Sequence, residues 1–290
     1  MLSPERSDRS ASRLGVVGWP VAHSRSPAIQ NAALQAAGLS GWRYQLLPIP
    51  PELFAETVPA LAAVGFRGVN VTIPHKRAAL TLATDTSPRA RAIGAANTLV
   101  FGPEGQITAD NTDAPALVEV LPRPARGASA LILGAGGSAR AALWALIDAG
   151  ADAVRIWSRN PERTRALAAE LGGEPVTAAG PADVLVNCTP VGLDGSNSLE
   201  DLPLDAAALV DYGCVVDLVY RPGGTALVAA ARDAGVPAVD GLELLVGQGA
   251  LSFELFTGRT APRDAMRSAA GLAPVAGGPS AGTSARGSDP

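Results

Sequence analysis

Ala130-Leu131-Ile132-Leu133-Gly134-Ala135-Gly136-Gly137-Ser138-Ala139 is a short apolar run that passes into a glycine-rich turn and then, from Ala139 to Ala149, into a helical pattern. A continuous apolar run of this length suits a strand buried on both faces. The turn matches GxGxxA, an accepted variant of the dinucleotide fingerprint. As a bare pattern it is weak, and a glycine-rich turn of purely structural use competes with it. Its place inside a βαβ unit of about 30 residues is the context that gives it meaning, because glycines there allow a tight turn and let a pyrophosphate approach the helix N-terminus. Gly134, Ala135, Gly136, Gly137, Ser138 and Ala139 are the candidate contacts.

Downstream, the alternation continues. Val154–Trp157 reads as a strand, Arg163–Leu171 as a helix and Val184–Asn187 as a strand; further strands follow at Val215–Leu218 and Ala238–Val239, with a helix over Thr225–Ala234 between them. Apolar strands separated by amphipathic helices imply a doubly wound parallel sheet covered on both faces. The end of the second strand in such a unit usually carries an acid for the ribose 2′-hydroxyl. Here Trp157 is followed by Ser158, Arg159 and Asn160, with Arg163 one helical turn on. Guanidinium groups can grip a 2′-phosphate that a carboxylate would repel, which favours NADP over NAD. The alternative is that both arginines are solvated residues at a helix start.

Upstream, Leu14–Gly18 reads as a strand and Pro27–Ala37 as a helix with Ile29, Ala33 and Leu34 on one face, so the first part of the chain is also α/β. A change of unit falls near residues 111–126, where Pro122 and Pro124 punctuate. Ser24 and Ser26 lie between the first strand and its helix, where α/β folds bind ligands; Ser26 before Pro27 also reads as an N-cap. Asn70 and Thr72, Asn97-Thr98 and Asn111-Thr112-Asp113 place amides and hydroxyls in three more turns, a set suited to a polyhydroxylated ligand. Of 23 basic residues only Lys76 is lysine. Arginine stays protonated at ordinary pH, whereas a lysine amine can give and take a proton, so Lys76 is a candidate acid/base; drift in an arginine-rich composition is the competing account.

With 290 residues, 47% of them hydrophobic and 17% charged, the chain is long enough for about two domains. A net charge of −4 without a basic cluster argues against nucleic acid as a partner. No apolar run reaches the roughly 18 residues of a membrane helix, and the opening residues lack the apolar stretch of a signal peptide. Cys188 and Cys214 are too few for a disulfide framework and sit in apolar runs, which points to buried thiols and a cytoplasmic location. His23 and His75 have neither spacing nor partners for a metal site, so no metal is expected. His75 reads as structural, and Asp217 as a turn former at a strand end. Residues 1–12 and the Gly/Ala/Ser/Pro-rich 268–290 read as disordered.

These motifs together resemble the shikimate dehydrogenase family. The resemblance is carried by HSxSP (His23 to Pro27), NVTxPxK (Asn70 to Lys76), Gly94 to Thr98, Asn111-Thr112-Asp113, GAGGxxR (Gly134 to Arg140), Val186 to Pro190, Asp217, Tyr220, Pro222 and Thr225, Gly241 to Gly249 and Phe253 to Gly258. It covers residues 13–266. It implies an N-terminal α/β substrate domain, 13–112 plus 248–267, and a Rossmann-like NADP-binding domain, 113–247. It also implies NADP-dependent interconversion of 3-dehydroshikimate and shikimate, with Lys76 and Asp113 as the catalytic pair. Ser24, Ser26, Asn70, Thr72, Asn97, Tyr220 and Gln248 would then hold substrate; Thr189, Leu218, Gly241 and Leu244 would join the glycine turn, Ser158, Arg159 and Arg163 on the cofactor side. The helix from about Gln248 to Thr257 is expected to fold back onto the first domain. Gln30 and Leu244 depart from residues common in the family. Members occur as monomers and homodimers. A quinate/shikimate dehydrogenase and, more distantly, a non-catalytic NADP-binding sensor are the rival readings.

Overall fold

The computed structural model describes residues 12–193, 199–221 and 223–273. The expectations for residues 1–11 and 274–290, and the motif residue Pro222, lie outside them. The first half folds as β1 (Ser12–Gly18), α1 (Ser26–Ala36), β2 (Trp42–Pro48), α2 (Pro51–Ala60), β3 (Phe66–Val71), α3 (Lys76–Leu82), β4 (Asp85–Thr86), α4 (Pro88–Ile93), β5 (Thr98–Phe101) and β6 (Ile107–Asp110). Its six strands form one sheet in the order β2-β1-β3-β5-β6-β4. β1 pairs parallel with β2 and β3, as the crossover helices require, while β5 pairs antiparallel with β3 and β6. The β5–β6 link, residues 102–106, is too short for a crossover and turns back as a hairpin.

The second half runs α5 (Asp113–Val120), β7 (Ser129–Leu133), α6 (Gly137–Asp148), β8 (Ala153–Trp157), α7 (Pro161–Leu171), β9 (Glu174–Pro175), β10 (Ala182–Asn187), β11 (Tyr212–Asp217), α8 (Ala226–Asp233) and β12 (Ala238–Val239). These six strands make a parallel sheet, β12-β11-β10-β7-β8-β9. The strand order reverses between β7 and β10, the switch point at which doubly wound sheets hold ligands. β7 sends Ala130 and Ile132 into a core with α5, α6 and α7, and Leu131 and Leu133 into a second core with α8. Burial on both faces is why the strand reads as unbroken apolar sequence.

Two helices follow, α9 (Gly241–Thr257) and α10 (Arg263–Ala270). α9 begins at Gly241, about two turns before the expected Gln248. Leu244 joins the core of the parallel sheet, whereas Val246, Ala250, Phe253 and Phe256 join the core of the first sheet with Leu14, Ile29 and Met266. The helix thus spans the junction expected between residues 247 and 248. The disorder expected over 1–12 and from 268 onward is corrected at its inner edges: Ser12 pairs in β1, and α10 continues to Ala270, which is 1% exposed. Backbone pairing with β2 orders the first end, and apolar contact of Met266 and Ala270 in the core with α1 and α9 orders the second.

Candidate active site

The loops after β1, β3, β7 and β10 converge between the two sheets around two adjoining cavities of about 360 Å³ and 890 Å³. They share a wall made by Ile73, Lys76, Ser138, Cys188, Thr189 and Pro190. The smaller cavity takes the uncharged polar groups from the first half, and the larger takes the glycine turn and the arginines from the second.

Lys76 stands at the shared wall. It is the first residue of α3, and its Nζ donates to Asp113 Oδ2 at 2.7 Å and to Ser138 Oγ at 2.9 Å. Only 11% of the lysine side chain and 12% of the aspartate's is exposed, so the pair is screened from bulk water far more than a surface ion pair. Asp113 opens α5, where Asn111 Oδ1 accepts from the Asp113 and Ala114 amides. Its second oxygen is fixed by Asn97. The Thr112 amide donates to Asn97 Oδ1 at 2.8 Å, which obliges Asn97 Nδ2 to point the other way, where it donates to Asp113 Oδ1 at 2.8 Å.

Behind this pair lies a buried polar network that the sequence reading missed in part. Tyr44 Oη donates to Asn70 Oδ1, and Asn70 Nδ2 donates to Ser252 Oγ, Thr98 Oγ1 and the Asn97 carbonyl. Ser252 Oγ donates to the Gln248 carbonyl and lies 3.0 Å from Thr112 Oγ1. Asn70 is thereby engaged with protein as well as lining the cavity. Ser252 lies one helical turn beyond Gln248, a spacing that places both on one face of α9; that was the available signal. Tyr44 gave none, being one apolar-looking residue in a strand.

The remaining expected substrate residues Ser24, Ser26, Thr72, Tyr220 and Gln248 all line the smaller cavity. Ser26 is not the N-cap. Arg25 holds that position without a side-chain cap, and Ser26 is the first helical residue. Tyr220 Oη accepts from the Arg25 amide at 3.4 Å, tying the loop after β11 to the loop after β1. Gln248 Oε1 accepts from Asn97 Nδ2 at 3.4 Å.

On the cofactor side, Gly134 has φ +115°, a value that L side chains rarely adopt, and a Cβ there would lie 3.1 Å from the Cys188 backbone. Gly134 through Ser138 line the larger cavity with Ser158, Arg159 and Arg163. Asn160 caps α7 by accepting from the Glu162 and Arg163 amides, and Ser158 Oγ donates to the Asn160 carbonyl. Thr189 lines both cavities; Leu218, Gly241 and Leu244 line only the smaller one. Ala139 lines neither, because it faces inward on the first turn of α6 and is fully buried. A glycine-rich turn at the N-terminus of a 12-residue helix, with guanidiniums and no acid at the end of β8, fits a dinucleotide carrying a 2′-phosphate.

Neighbouring titratable groups serve the frame. His75 stacks on Phe54 at 4.4 Å, with Nε2 2.8 Å from the Ile49 carbonyl, and burial holds its pKa below the ordinary value. Burial also pushes the Cys188 thiol up, which keeps it protonated. Asp217, wholly buried, accepts from Asn187, the Val219 amide and Thr225, and burial raises it to about 6. That arrangement is a turn former's.

Comparison with known proteins agrees with this geometry. Residues 16–99 match the family model "Shikimate dehydrogenase substrate binding domain", and residues 241–270 match "Shikimate 5'-dehydrogenase C-terminal domain". A relative from Methylobacterium radiotolerans, named shikimate dehydrogenase (NADP(+)), is 45% identical over 265 residues, covering 85% of this chain and 91% of the relative. The chain belongs to the shikimate dehydrogenase family. A solved shikimate dehydrogenase from Thermus thermophilus, in complex with NADP(H) and shikimate, superposes with a TM-score of 0.78 at 40% identity, covering 89% of this chain and 98% of that one. A 5-ketofructose reductase of Gluconobacter is also similar, at TM-score 0.77 and 29% identity, with 91% and 99% covered.

Both departures from common shikimate dehydrogenase residues sit in packed surroundings. Gln30 is 1% exposed and donates to the Gly249 carbonyl at 2.9 Å, joining α1 to α9. Leu244 is 6% exposed at the edge of the smaller cavity. Neither forms a hydrogen bond with Lys76 or Asp113 among the described residues.

Proposed function

We propose that the chain catalyses the NADP-dependent, reversible reduction of 3-dehydroshikimate to shikimate. The observation that carries this is the Lys76–Asp113 pair at the wall shared by a cavity of uncharged polar groups and a cavity of glycine turn and arginines. In this reading Ser24, Ser26, Asn70, Thr72, Asn97, Tyr220 and Gln248 hold the substrate's carboxylate and hydroxyls. Gly134 to Ser138, Ser158, Arg159, Arg163 and Thr189 hold NADP, and Leu218, Gly241 and Leu244 border its reactive end. The chemistry that bound NADP supplies is hydride transfer to or from the carbon bearing the reacting oxygen. Lys76 Nζ gives a proton to the ketone oxygen in reduction and takes it back from the hydroxyl in oxidation. Asp113 orients the amine. Residues 13–112 with the later part of α9 and α10 form the substrate side, and 113–247 the NADP side. Cys188 and Cys214, both present as thiols, suit a reducing cytoplasm.

The test is a panel of initial rates, read as nicotinamide absorbance, with shikimate, quinate or a 5-ketofructose/NADPH pair, the first two each with NADP+ and NAD+. Activity concentrated in shikimate with NADP+ is the expected result. Comparable rates with quinate or NAD+ would move the chain to the broader quinate/shikimate class. Tight NADP+ binding without turnover in any pair would overturn the enzymatic reading in favour of a sensor.

A further inference from the structure

We infer that Arg140 is a positioning residue that pins the two halves of the cleft together and, through residues 93–97, sets the placement of both Lys76 and Asp113. Its effect on turnover rests on the proposed reaction; its effect on the relation between the two sheets does not. The sequence singles out Arg140 and Gly94 within motifs, and the site described so far uses neither.

Arg140 lies on the first turn of α6, directly after the glycine turn, and its side chain is 7% exposed. Nε donates to the carbonyl of Ile93 at 2.7 Å, and a terminal nitrogen donates to Glu170 Oε2 at 2.7 Å. Ile93 ends α4 in the first half, where carbonyls lack helical partners. The bond therefore crosses between the two halves, and Glu170 on α7 braces the guanidinium from its own side. Gly94 makes the approach possible. It caps α4 with φ +69°, and a Cβ there would stand 2.5 Å from an Arg140 terminal nitrogen.

The gripped segment holds both acid/base groups. The Ala95 carbonyl accepts from Asn111 Nδ2 at 3.0 Å, and Asn111 Oδ1 accepts from the first two amides of the helix that begins with Asp113. The Ala96 amide donates to the Lys76 carbonyl at 2.8 Å. Asn97 Nδ2 holds Asp113 Oδ1. Three consecutive residues thus reach Lys76 or Asp113, and Arg140 holds the residue two places before them. The same turn of α6 meets Lys76 directly, since a Cβ on Gly137 would lie 2.9 Å from Lys76 Cβ and Ser138 Oγ accepts from its amine. Helix α6 therefore touches the lysine at one point and its support at another, and Arg140 fixes the second.

Arg140 also borders the larger cavity, so the competing role is a direct cofactor ligand. Binding and turnover separate the two. Arg140→Met and Gly94→Ala would be compared with wild type for NADP+ dissociation constant by calorimetry, kcat with shikimate, the isotope effect from carbon-deuterated shikimate, and small-angle scattering. Expected for Arg140→Met is NADP+ affinity within about threefold of wild type, kcat lower by about 10- to 100-fold, and a larger isotope effect as the chemical step is slowed by misplacement. Gly94→Ala, which crowds the guanidinium and strains a left-handed backbone position, should move the same quantities in the same direction. The scattering profile should broaden for both. Loss of NADP+ affinity with an unchanged isotope effect would overturn the inference in favour of direct cofactor contact; unchanged kcat and scattering in a folded variant would overturn it outright. Should Arg140→Met not fold, Arg140→Lys, which keeps charge but not the two-sided fork, takes its place with the same expectations. If wild type itself is inactive with shikimate, the proposed reaction fails, and the scattering comparison still decides the pin.

Discussion

Asp217 and Arg159 show two opposite uses of charge in one sheet. Asp217 is fully buried at the end of β11, and burial lifts its carboxyl to about 6 against three hydrogen bonds that favour the charged form. The folded state therefore binds a proton between about pH 4 and 6 that the unfolded chain has released, so this residue's contribution to stability is complete below about pH 4 and is lost as pH rises through 6. The rise to about 6 corresponds to about 3 kcal/mol. Urea unfolding at pH 4.5 and pH 7 should show wild type losing stability relative to Asp217→Asn over that interval; parallel pH dependences would contradict the assignment. Arg159 is exposed at the mouth of the larger cavity, where a charge costs little until a phosphate arrives. Arg159→Ala should weaken NADP+ binding by about 10- to 100-fold, in line with the loss of a charge-assisted hydrogen bond, and leave NAD+ binding unchanged. Equal loss for both cofactors in a binding titration would remove Arg159 from the 2′-phosphate.

At the scale of elements, β7, β10 and β11 are legible in the sequence because burial on both faces leaves continuous apolar runs. β4 and β9, two residues each and partly exposed, leave no such trace. The antiparallel β5–β6 hairpin is a matter of connection length, which alternation of runs does not encode. α9 is the instructive case. The resemblance places its start near Gln248, yet the helix begins at Gly241 and contains Gly247 and Gly249, each of which weakens an isolated helix by about 1 kcal/mol. Packing overrides this, because α9 buries Leu244 in the core of the parallel sheet and Val246, Ala250, Phe253 and Phe256 in the core of the first sheet. Ser252, missing from the sequence-derived site, is part of the same helix face. Phe253, fully buried beside Ser252, anchors α9 in the first core. Phe253→Ala should destabilise the fold by about 3–5 kcal/mol. A change below about 1 kcal/mol in the urea midpoint, converted with the measured slope, would mean that α9 is not held by this core.

For the whole molecule, two α/β sheets face each other across a cleft, and the groups that matter come from both: Lys76 from the first, Ser138 and the arginines from the second, Gln248 and Ser252 from the helix that spans them. The motif residues were readable in sequence because most sit at or just beyond strand ends, where α/β folds bind ligands. Their convergence was not, since it depends on long-range contacts such as Arg140 to Ile93 and Arg25 to Tyr220. In the proposed reaction the lone lysine moves the proton. Lys76→Arg keeps the positive charge and removes the transferable proton. The decisive measurement is shikimate-dependent NADP+ reduction by this variant, with NADP+ binding measured on the same sample. Turnover lower by about 10²- to 10⁴-fold with binding retained is the predicted result. Near-normal turnover with binding retained would remove Lys76 from the proton transfer.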